Sequence, residues 1–372
     1  MTRDYMAEAL ALARRGAALT SPNPMVGAVI VRDDEVVGRG FHIWSEEKHA
    51  EIVALEEAGE RARGATIYVT LEPCAHTGRT GPCADALIAA GIAKVVVASE
   101  DPNPLVAGEG LRRLRASAIA VEMSPEHRAA AEKLNEAFLH FIRTGKPLVT
   151  LKSALTLDGK IAAPHDNTGW ITSEHARAHV QVLRHAHDAI VTGIGTVLSD
   201  NPLLTDRSEL PRARPLVRVV LDSTLRISPA SRLVQTAKDD LVIATTSAAS
   251  PERRKALEAR GVEVRSFDGP HGRVDIRDVI SLLAARRCLS VMLEAGSKVN
   301  WAALESGAVD KVFLYYAPKI LGGLESLPMA GGAGRMSRID AIQLHKTILH
   351  PIPPDEFAVE AWVVAAKTRR DV

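Results

Sequence analysis

The chain is 372 residues long, 46% of them hydrophobic, and its 46 basic and 45 acidic side chains leave a formal net charge of +1. That length exceeds what one hydrophobic core organises, so two domains are expected, and the apolar content excludes a disordered chain. Near-neutral charge removes the long-range field of a nucleic-acid binder, and three cysteines cannot staple a secreted fold, which leaves small-molecule chemistry in a reducing compartment.

The pattern from the N-terminus enters charged helical sequence at once, with no apolar signal core, and no later stretch approaches the ~18 apolar residues of a membrane span. A soluble cytoplasmic protein without membrane or nucleic-acid partners is expected. A helix is predicted near Asp4 to Arg15, strands at Val26 to Val31 and Val36 to Phe41 around an Asp33-Asp34 turn, and a helix opening near His49. A strand at Thr66 to Thr70, a helix at Cys83 to Ala90, a strand at Lys94 to Ala98 and a helix from Gly108 follow. One long helix is predicted over Pro125 to Arg143, stopped by Thr144-Gly145-Lys146-Pro147, where glycine caps and proline forbids continuation. The domain boundary is placed there, giving domains 1–144 and 145–372.

A second α/β series begins with a strand at Leu148 to Ala154 and a helix capped by Ser173. Strands are expected at Ala189 to Thr192, Val217 to Leu221, Leu241 to Ala244, Ser290 to Glu294, Lys311 to Tyr316 and Phe357 to Ala365. Helices are expected at Pro251 to Arg260, Val274 to Ala285 and Ser297 to Ser306. Cys288 sits in the apolar lead-in to one of those strands.

The chemistry concentrates in the first half. His49, Cys74 and Cys83 supply one imidazole and two thiolates, a tetrahedral zinc set with the fourth position left for water, and Glu51 stands two residues from the histidine as a proton carrier. Coordination lowers the pKa of water from about 15.7 to about 7, worth roughly 12 kcal/mol toward hydroxide. Glu51 can then take the proton of the attacking water, deliver it to a ring nitrogen, and help protonate ammonia as it leaves. Eight residues separate Cys74 from Cys83, longer than the compact C-x-x-C of nucleobase deaminases, and the insert adds His76 and Arg79, suited to an anionic or hydroxyl-rich substrate. A purely structural zinc site is the competing reading, with His76 as fourth ligand. Asn23, in the rigid turn Ser21-Pro22-Asn23-Pro24, can hold a sugar hydroxyl or satisfy its own turn, and His42 is similarly open. His175, His179, His185 and His187 suggest a second metal, but no carboxylate or cysteine completes a set in the pattern. No G-x-G-x-x-G follows a strand, so Gly193-Ile194-Gly195 is a fragment that does not support a Rossmann reading of the second half.

These residues resemble the bifunctional riboflavin-biosynthesis deaminase-reductase family over nearly the whole chain. The resemblance rests on Pro22-Asn23-Pro24, His49-Ala50-Glu51, Thr70-Leu71-Glu72-Pro73-Cys74, Pro82-Cys83, Asp101-Pro102-Asn103-Pro104, Val106-Ala107-Gly108 and Arg143-Thr144-Gly145. It continues through Leu157-Asp158-Gly159-Lys160, Trp170-Ile171-Thr172-Ser173, Thr196-Val197-Leu198, Asp200-Asn201-Pro202, Leu221-Asp222-Ser223, Glu294-Ala295-Gly296 and Ala317-Pro318-Lys319. It implies a cytidine-deaminase-like three-layer α/β/α domain followed by a dihydrofolate-reductase-like α/β domain. It also implies zinc-dependent hydrolysis of the 2-amino group of 2,5-diamino-6-(5-phosphoribosylamino)pyrimidin-4(3H)-one, then NADPH-dependent reduction of the product's ribosyl group to ribityl.

By the same resemblance Ala154, Trp170, Thr196, Asp200, Ser223 and the run Gly296, Ser297, Lys298, Val299, Asn300, Trp301 and Ala302 line the NADPH site. Thr168, Arg184, Leu204, Arg207 and Glu294 hold the phosphorylated pyrimidine, and Lys152 acts near the sugar carbonyl with polar help from Asp200. A guanidinium fork suits a phosphate monoester, and a glycine-led helix start suits a dinucleotide phosphate. A homo-oligomer is expected. A tRNA-type or other nucleobase deaminase with a non-reductase binding domain is the alternative, disfavoured by the charge.

Overall fold

The computed structural model describes residues 3–76, 81–103, 107–165 and 168–364. Its contacts divide the chain into two units, Met1–Lys146 with Pro211–Arg214, and Pro147–Leu210 with Pro215–Val372.

In the first unit α1 (Tyr5–Arg14) precedes β1 (Gly27–Arg32) and β2 (Glu35–Phe41), followed by α2 (Ala50–Ala58), β3 (Thr66–Val69), α3 (Cys83–Ala90), β4 (Lys94–Val97), α4 (Glu109–Ala116), β5 (Ala120–Met123), α5 (Pro125–Leu134) and α6 (Glu136–Thr144). The strands form one sheet in the order β2-β1-β3-β4-β5, antiparallel across β2, β1 and β3 and parallel from β3 to β5. Strand alternation sends side chains to two cores. Ala28, Ile30, Ile67, Val69, Val95 and Val97 face α2, α3 and α4, whereas Val29, Val31, Val96 and Ala98 face α1 and α5. The result is the three-layer α/β/α arrangement. Fully buried side chains such as Ile67, Leu87 and Leu114 each contribute about 1.5–3 kcal/mol of transfer free energy.

Local signals explain the element ends. Asp4 Oδ1 accepts the Ala7 N–H at 2.9 Å and starts α1, and Gly91, in the left-handed region, ends α3. The long helix expected over Pro125 to Arg143 is two helices, because Asn135 leaves helical geometry and turns its amide to the backbone of Met25, accepting its N–H at 2.8 Å and donating to its carbonyl at 2.9 Å.

The second unit contains β6 (Leu148–Thr156), β7 (Lys160–Ala162), α7 (Glu174–His185), β8 (Ala189–Gly193), α8 (Ile194–Asp200), β9 (Val217–Leu221), α9 (Arg232–Gln235), β10 (Leu241–Thr245), α10 (Pro251–Glu258), β11 (Glu263–Ser266), α11 (Ile276–Ala285), β12 (Ser290–Leu293), α12 (Ser297–Glu305), β13 (Lys311–Ala317), β14 (Leu327–Pro328), β15 (Leu344–Ile352) and β16 (Glu356–Val363). Nine strands form a sheet in the order β11-β10-β9-β8-β12-β6-β13-β16-β15, parallel except where β16 pairs antiparallel with β13 and β15. The residues of β8 and β10 are all buried, as expected of parallel strands covered on both faces. Ser173 Oγ accepts the Ala176 N–H at 3.2 Å, the predicted cap of α7. Among the described residues no helix is long and apolar enough to cross a membrane.

Candidate functional site

Two helix starts make the first site. His49 is the N-cap residue of α2, and its imidazole takes no part in capping, so the ring is free to turn outward. Cys83 opens α3 after Pro82, and Cys74 lies on the loop that leaves β3. The loop is held by two bonds: Cys83 N–H donates to Cys74 Sγ at 3.3 Å, and Ala84 N–H to the Cys74 carbonyl at 3.1 Å. His49 Nδ1 then stands 3.1 Å from Cys83 Sγ and 3.6 Å from Cys74 Sγ, with the three ligand atoms all within 4.8 Å of one another.

A tetrahedral zinc with bonds of about 2.0 Å to nitrogen and 2.3 Å to sulfur sets nitrogen and sulfur roughly 3.6 Å apart, so this donor set fits that ion. The electrostatics agree. A hydrogen bond from Cys83, helped by His49, holds the Cys74 thiol well below its usual range, while the same contact and burial push Cys83 up. A cation among the three would turn both into thiolates. His76 is exposed and does not join the cluster. Arg79 lies outside the described residues.

Glu51 is buried on the first turn of α2, and desolvation pushes its carboxyl from 4.5 up to about 7, with Cys74 adding to the rise and His49 opposing it. A carboxyl balanced near neutrality suits repeated proton exchange. Edge-on to the His49 ring, His42 donates from Nδ1 to the Lys48 carbonyl at 2.8 Å, so Nε2 must accept from the Asn23 amide at 3.0 Å. Burial lowers His42 and keeps it neutral. The Asn23 carbonyl oxygen has no partner among the described residues.

One residue that the sequence reading passed over organises this loop. The buried Glu72 carboxylate accepts the N–H groups of Asp101, Gly108, Gly110 and Leu111 at 3.0–3.4 Å, fastening the stretch before Cys74 to the start of α4. A Cβ at Gly110 would lie 1.9 Å from the Pro73 carbonyl, so only glycine allows that approach. The TLEPC run contained Glu72, but nothing in it showed that the partners were backbone amides some 30 to 40 residues away.

The second unit has a cleft of about 1680 Å³ along the C-terminal ends of its parallel strands. Of the expected cofactor residues, Ala154, Trp170, Thr196, Asp200, Ser223, Gly296, Ser297, Lys298, Val299 and Ala302 line it. Asn300 and Trp301 do not, because the helical turn carries them to the other side of α12: Asn300 is fully buried and donates to the Met329 carbonyl at 2.9 Å, and Trp301 packs against Gly332. Lys152, Arg184, Leu204, Arg207 and Glu294 also line the cleft, whereas Thr168 is exposed and outside its lining. Lys152 Nζ and Arg184 Nη2 donate to the two Glu294 oxygens at 2.8 and 2.7 Å. Burial works against ionisation of Glu294, but the Lys152 and Arg184 charges outweigh it and hold the carboxyl at about 2. Arg184 also donates to the Thr205 carbonyl at 2.7 Å, so it is already engaged, unlike the exposed Arg207 guanidinium. A dinucleotide fits this cleft because α12 begins on its wall, where Gly296 to Lys298 present the free N–H groups of a helix start to a phosphate.

The histidines of α7 have other partners. His179 bonds the Tyr315 hydroxyl at 2.7 Å, and His185 bonds Asp206 at 2.7 Å.

Comparison with known proteins matches both halves. Residues 1–99 match the cytidine and deoxycytidylate deaminase zinc-binding region, and residues 147–349 match the RibD C-terminal domain. The chain is 43% identical over 341 residues to the riboflavin biosynthesis protein RibD of Actinobacillus pleuropneumoniae, covering 92% of this chain and 90% of that protein. It is 42% identical over 369 residues to the protein of the same name from Escherichia coli, covering 94% and 96%. Among solved structures, Acinetobacter baumannii RibD superposes with a TM-score of 0.85 at 35% identity, covering 97% of this chain and 98% of that one. A diaminohydroxyphosphoribosylaminopyrimidine deaminase/5-amino-6-(5-phosphoribosylamino)uracil reductase from Thermotoga maritima does so at 0.81 and 34% identity, with the same coverage.

Proposed function

Because the chain belongs to the RibD family of riboflavin biosynthesis, and is therefore a bifunctional deaminase and reductase with a zinc-binding and an NADPH-dependent domain, we propose a division of labour among its residues. The first unit deaminates 2,5-diamino-6-(5-phosphoribosylamino)pyrimidin-4(3H)-one, and the second reduces 5-amino-6-(5-phosphoribosylamino)uracil. The observation that carries the first assignment is the convergence of His49, Cys74 and Cys83 on one point beside a buried Glu51.

A zinc ion held by those three side chains supplies the Lewis acidity that lets water attack carbon at neutral pH. Glu51 accepts one proton of the incoming water and passes it to the ring nitrogen, then takes the second from the hydroxyl added to the carbon and gives it to the amine as ammonia leaves. The Asn23 carbonyl oxygen, fixed by the bond from its amide to His42, orients a polar group of the substrate. His76 at the exposed mouth meets the phosphorylated part.

In the second unit NADPH supplies the hydride. Glu294 fixes the Lys152 ammonium, which donates a proton to the sugar oxygen as negative charge develops there. Asp200 supplies a further polar contact on the cleft wall. Arg207 takes the substrate phosphate, and Arg184 positions Glu294 and the loop that carries Leu204 and Arg207. We also place the enzyme in the cytoplasm, where thiolate ligands stay reduced, and assign it a homo-oligomeric state. The sheet-edge strand β15, which leaves Ile348 and Leu349 45% and 65% exposed, supports self-association.

The deciding experiment separates the two reactions. Glu51→Ala should lose ammonia release by a factor of about 100 or more, retain its zinc, and still oxidise NADPH on supplied deaminated substrate. Continued ammonia release would remove Glu51 from the mechanism.

A further inference from the structure

Lys152 stands on β6 in register with Phe313 of β13, and Ala154 with Tyr315. Residues two apart on a strand share a face, so these side chains lie on one face of the sheet, the face that α7 covers with Ala176 and Val180. Two contacts hold the Lys152 ammonium there. Glu294 accepts from it at 2.8 Å, and the ring of Tyr315 presents its face to it, 5.9 Å from Nζ to the ring centroid. The other Glu294 oxygen is taken by Arg184 at 2.7 Å. A single carboxylate oxygen at the end of a flexible stem leaves a lysine free to pivot, and the ring face removes that freedom.

Tyr315 is itself fixed. It is 1% exposed, and a phenol buried to that depth needs a partner for its hydroxyl, which His179 of α7 supplies at 2.7 Å. Phe313 packs on it with 5.2 Å between ring centroids, and His350 of β15 stacks on Phe313 at 5.1 Å. Burial, with the charge of Glu294 adding to it, pushes the Tyr315 phenol up, so Lys152 meets a neutral ring. Burial, with His350 adding to it, lowers His179 and keeps that imidazole uncharged as well. The quadrupole of a neutral ring attracts an ammonium through its face without taking a proton from it. A second carboxylate in the same place would hold more tightly the proton that Lys152 has to deliver.

Resting on the reductase reading of Lys152, we propose that Tyr315 is a positioning residue for sugar reduction: its ring face is the second anchor of the Lys152 ammonium beside Glu294, and His179 fixes the angle of that ring. The two anchors leave the remaining N–H of the ammonium for the cleft, where the reading above places the sugar oxygen. Lys152 lines the cleft, and neither Tyr315 nor His179 does, so their part is to aim the lysine rather than to touch the substrate. His179, which the sequence offered as a metal ligand, thereby acts on a lysine through a tyrosine.

The test is steady-state NADPH oxidation by the full chain on supplied deaminated substrate, with ammonia release by the first unit as an internal control. Tyr315→Leu should lower kcat for reduction about tenfold, the worth of one desolvated contact between a cation and a ring, and leave KM for NADPH and the rate of ammonia release as they are. Tyr315→Phe and His179→Leu keep the ring but lose its tether, and each should cost about threefold. Placing one, two and then three fluorines on the phenylalanine of Tyr315→Phe drains the ring face at nearly constant shape, and kcat should fall with each. Ile352→Ala lies in the same buried cluster but three strands from Lys152, so it should lower the thermal midpoint and leave kcat unchanged. Equal kcat across the fluorinated set, or a loss in Ile352→Ala matching that in Tyr315→Leu, would overturn the assignment. Lys152→Gln should lose about a hundredfold. If it kept its rate, the reading of Lys152 and the role of Tyr315 would fall together, whereas that loss beside a wild-type rate in Tyr315→Leu sinks the tyrosine anchor alone.

Discussion

At the scale of single residues, charge and burial decide which side chains are chemically usable. Glu51 is buried and Glu294 is half-buried on the cleft wall, and their environments drive them apart. Desolvation lifts Glu51 to about 7, whereas Lys152 and Arg184 hold Glu294 at about 2. For Glu294 the sign follows directly: with a folded value of about 2 against the usual 4.5, its stabilisation is complete above pH 4.5 and is lost as pH falls from there toward 2. Glu294→Gln should therefore cost about 2 kcal/mol at neutral pH, and its unfolding midpoint should fall less steeply with acidification than that of wild type. A thermal melt series across that window measures both, and parallel slopes would refute the linkage. That His49, Cys74 and Cys83 come together was legible from residue type and spacing, since few other arrangements give one imidazole, two thiols and a nearby carboxylate so compactly. Glu72 was not legible, because a carboxylate that accepts backbone N–H groups from a distant segment looks like any other charge until the chain has folded.

At the scale of elements, the site depends on how closely a helix can lie on the sheet. Gly38 and Gly40 of β2 face α2, and a Cβ at Gly40 would come within 2.0 Å of the Ala50 carbonyl. That carbonyl belongs to the residue between His49 and Glu51, so the fit of β2 against α2 sets where the His49 imidazole and the Glu51 carboxyl stand. Gly40→Ala is expected to destabilise the first unit by about 1–3 kcal/mol through overpacking and to lower zinc per chain as measured by metal analysis; full zinc content with an unchanged melting point would sink this. The longer helices and the inner strands followed from apolar periodicity, while the short α8 and α9 gave too few turns to show one. Three edge strands did not: β5, β11 and β15 each lie at the edge of a sheet, and a strand with one neighbour and a wet face has little apolar alternation to read, whereas the edge strand β2 was legible from the Asp33-Asp34 turn before it. The break at Asn135 escaped for a different reason, since it depends on a backbone partner more than a hundred residues earlier.

For the whole molecule, the two units carry two cofactor chemistries in separate cores. Stripping the metal with a chelator should abolish ammonia release and leave NADPH oxidation on supplied deaminated substrate near its untreated rate, with readdition of zinc restoring the first reaction. Loss of both reactions would show that the metal supports more than its own unit.

The amino-acid order alone determined two alternating α/β series, a helix stop at Gly145, and a deaminase ligand set, because periodicity, turn chemistry and ligand type are local properties of a chain. The resemblance to a known family extended that to a second reaction. Only the tertiary structure decided which of seven consecutive residues from Gly296 to Ala302 face the cleft and where four strand ends meet. Only it brought the stretch from Ser223 to Arg232 and the segment from His271 to Val274 to the same cleft. Those facts come from packing between parts of the chain far apart in order, and local pattern carries no information about such distances.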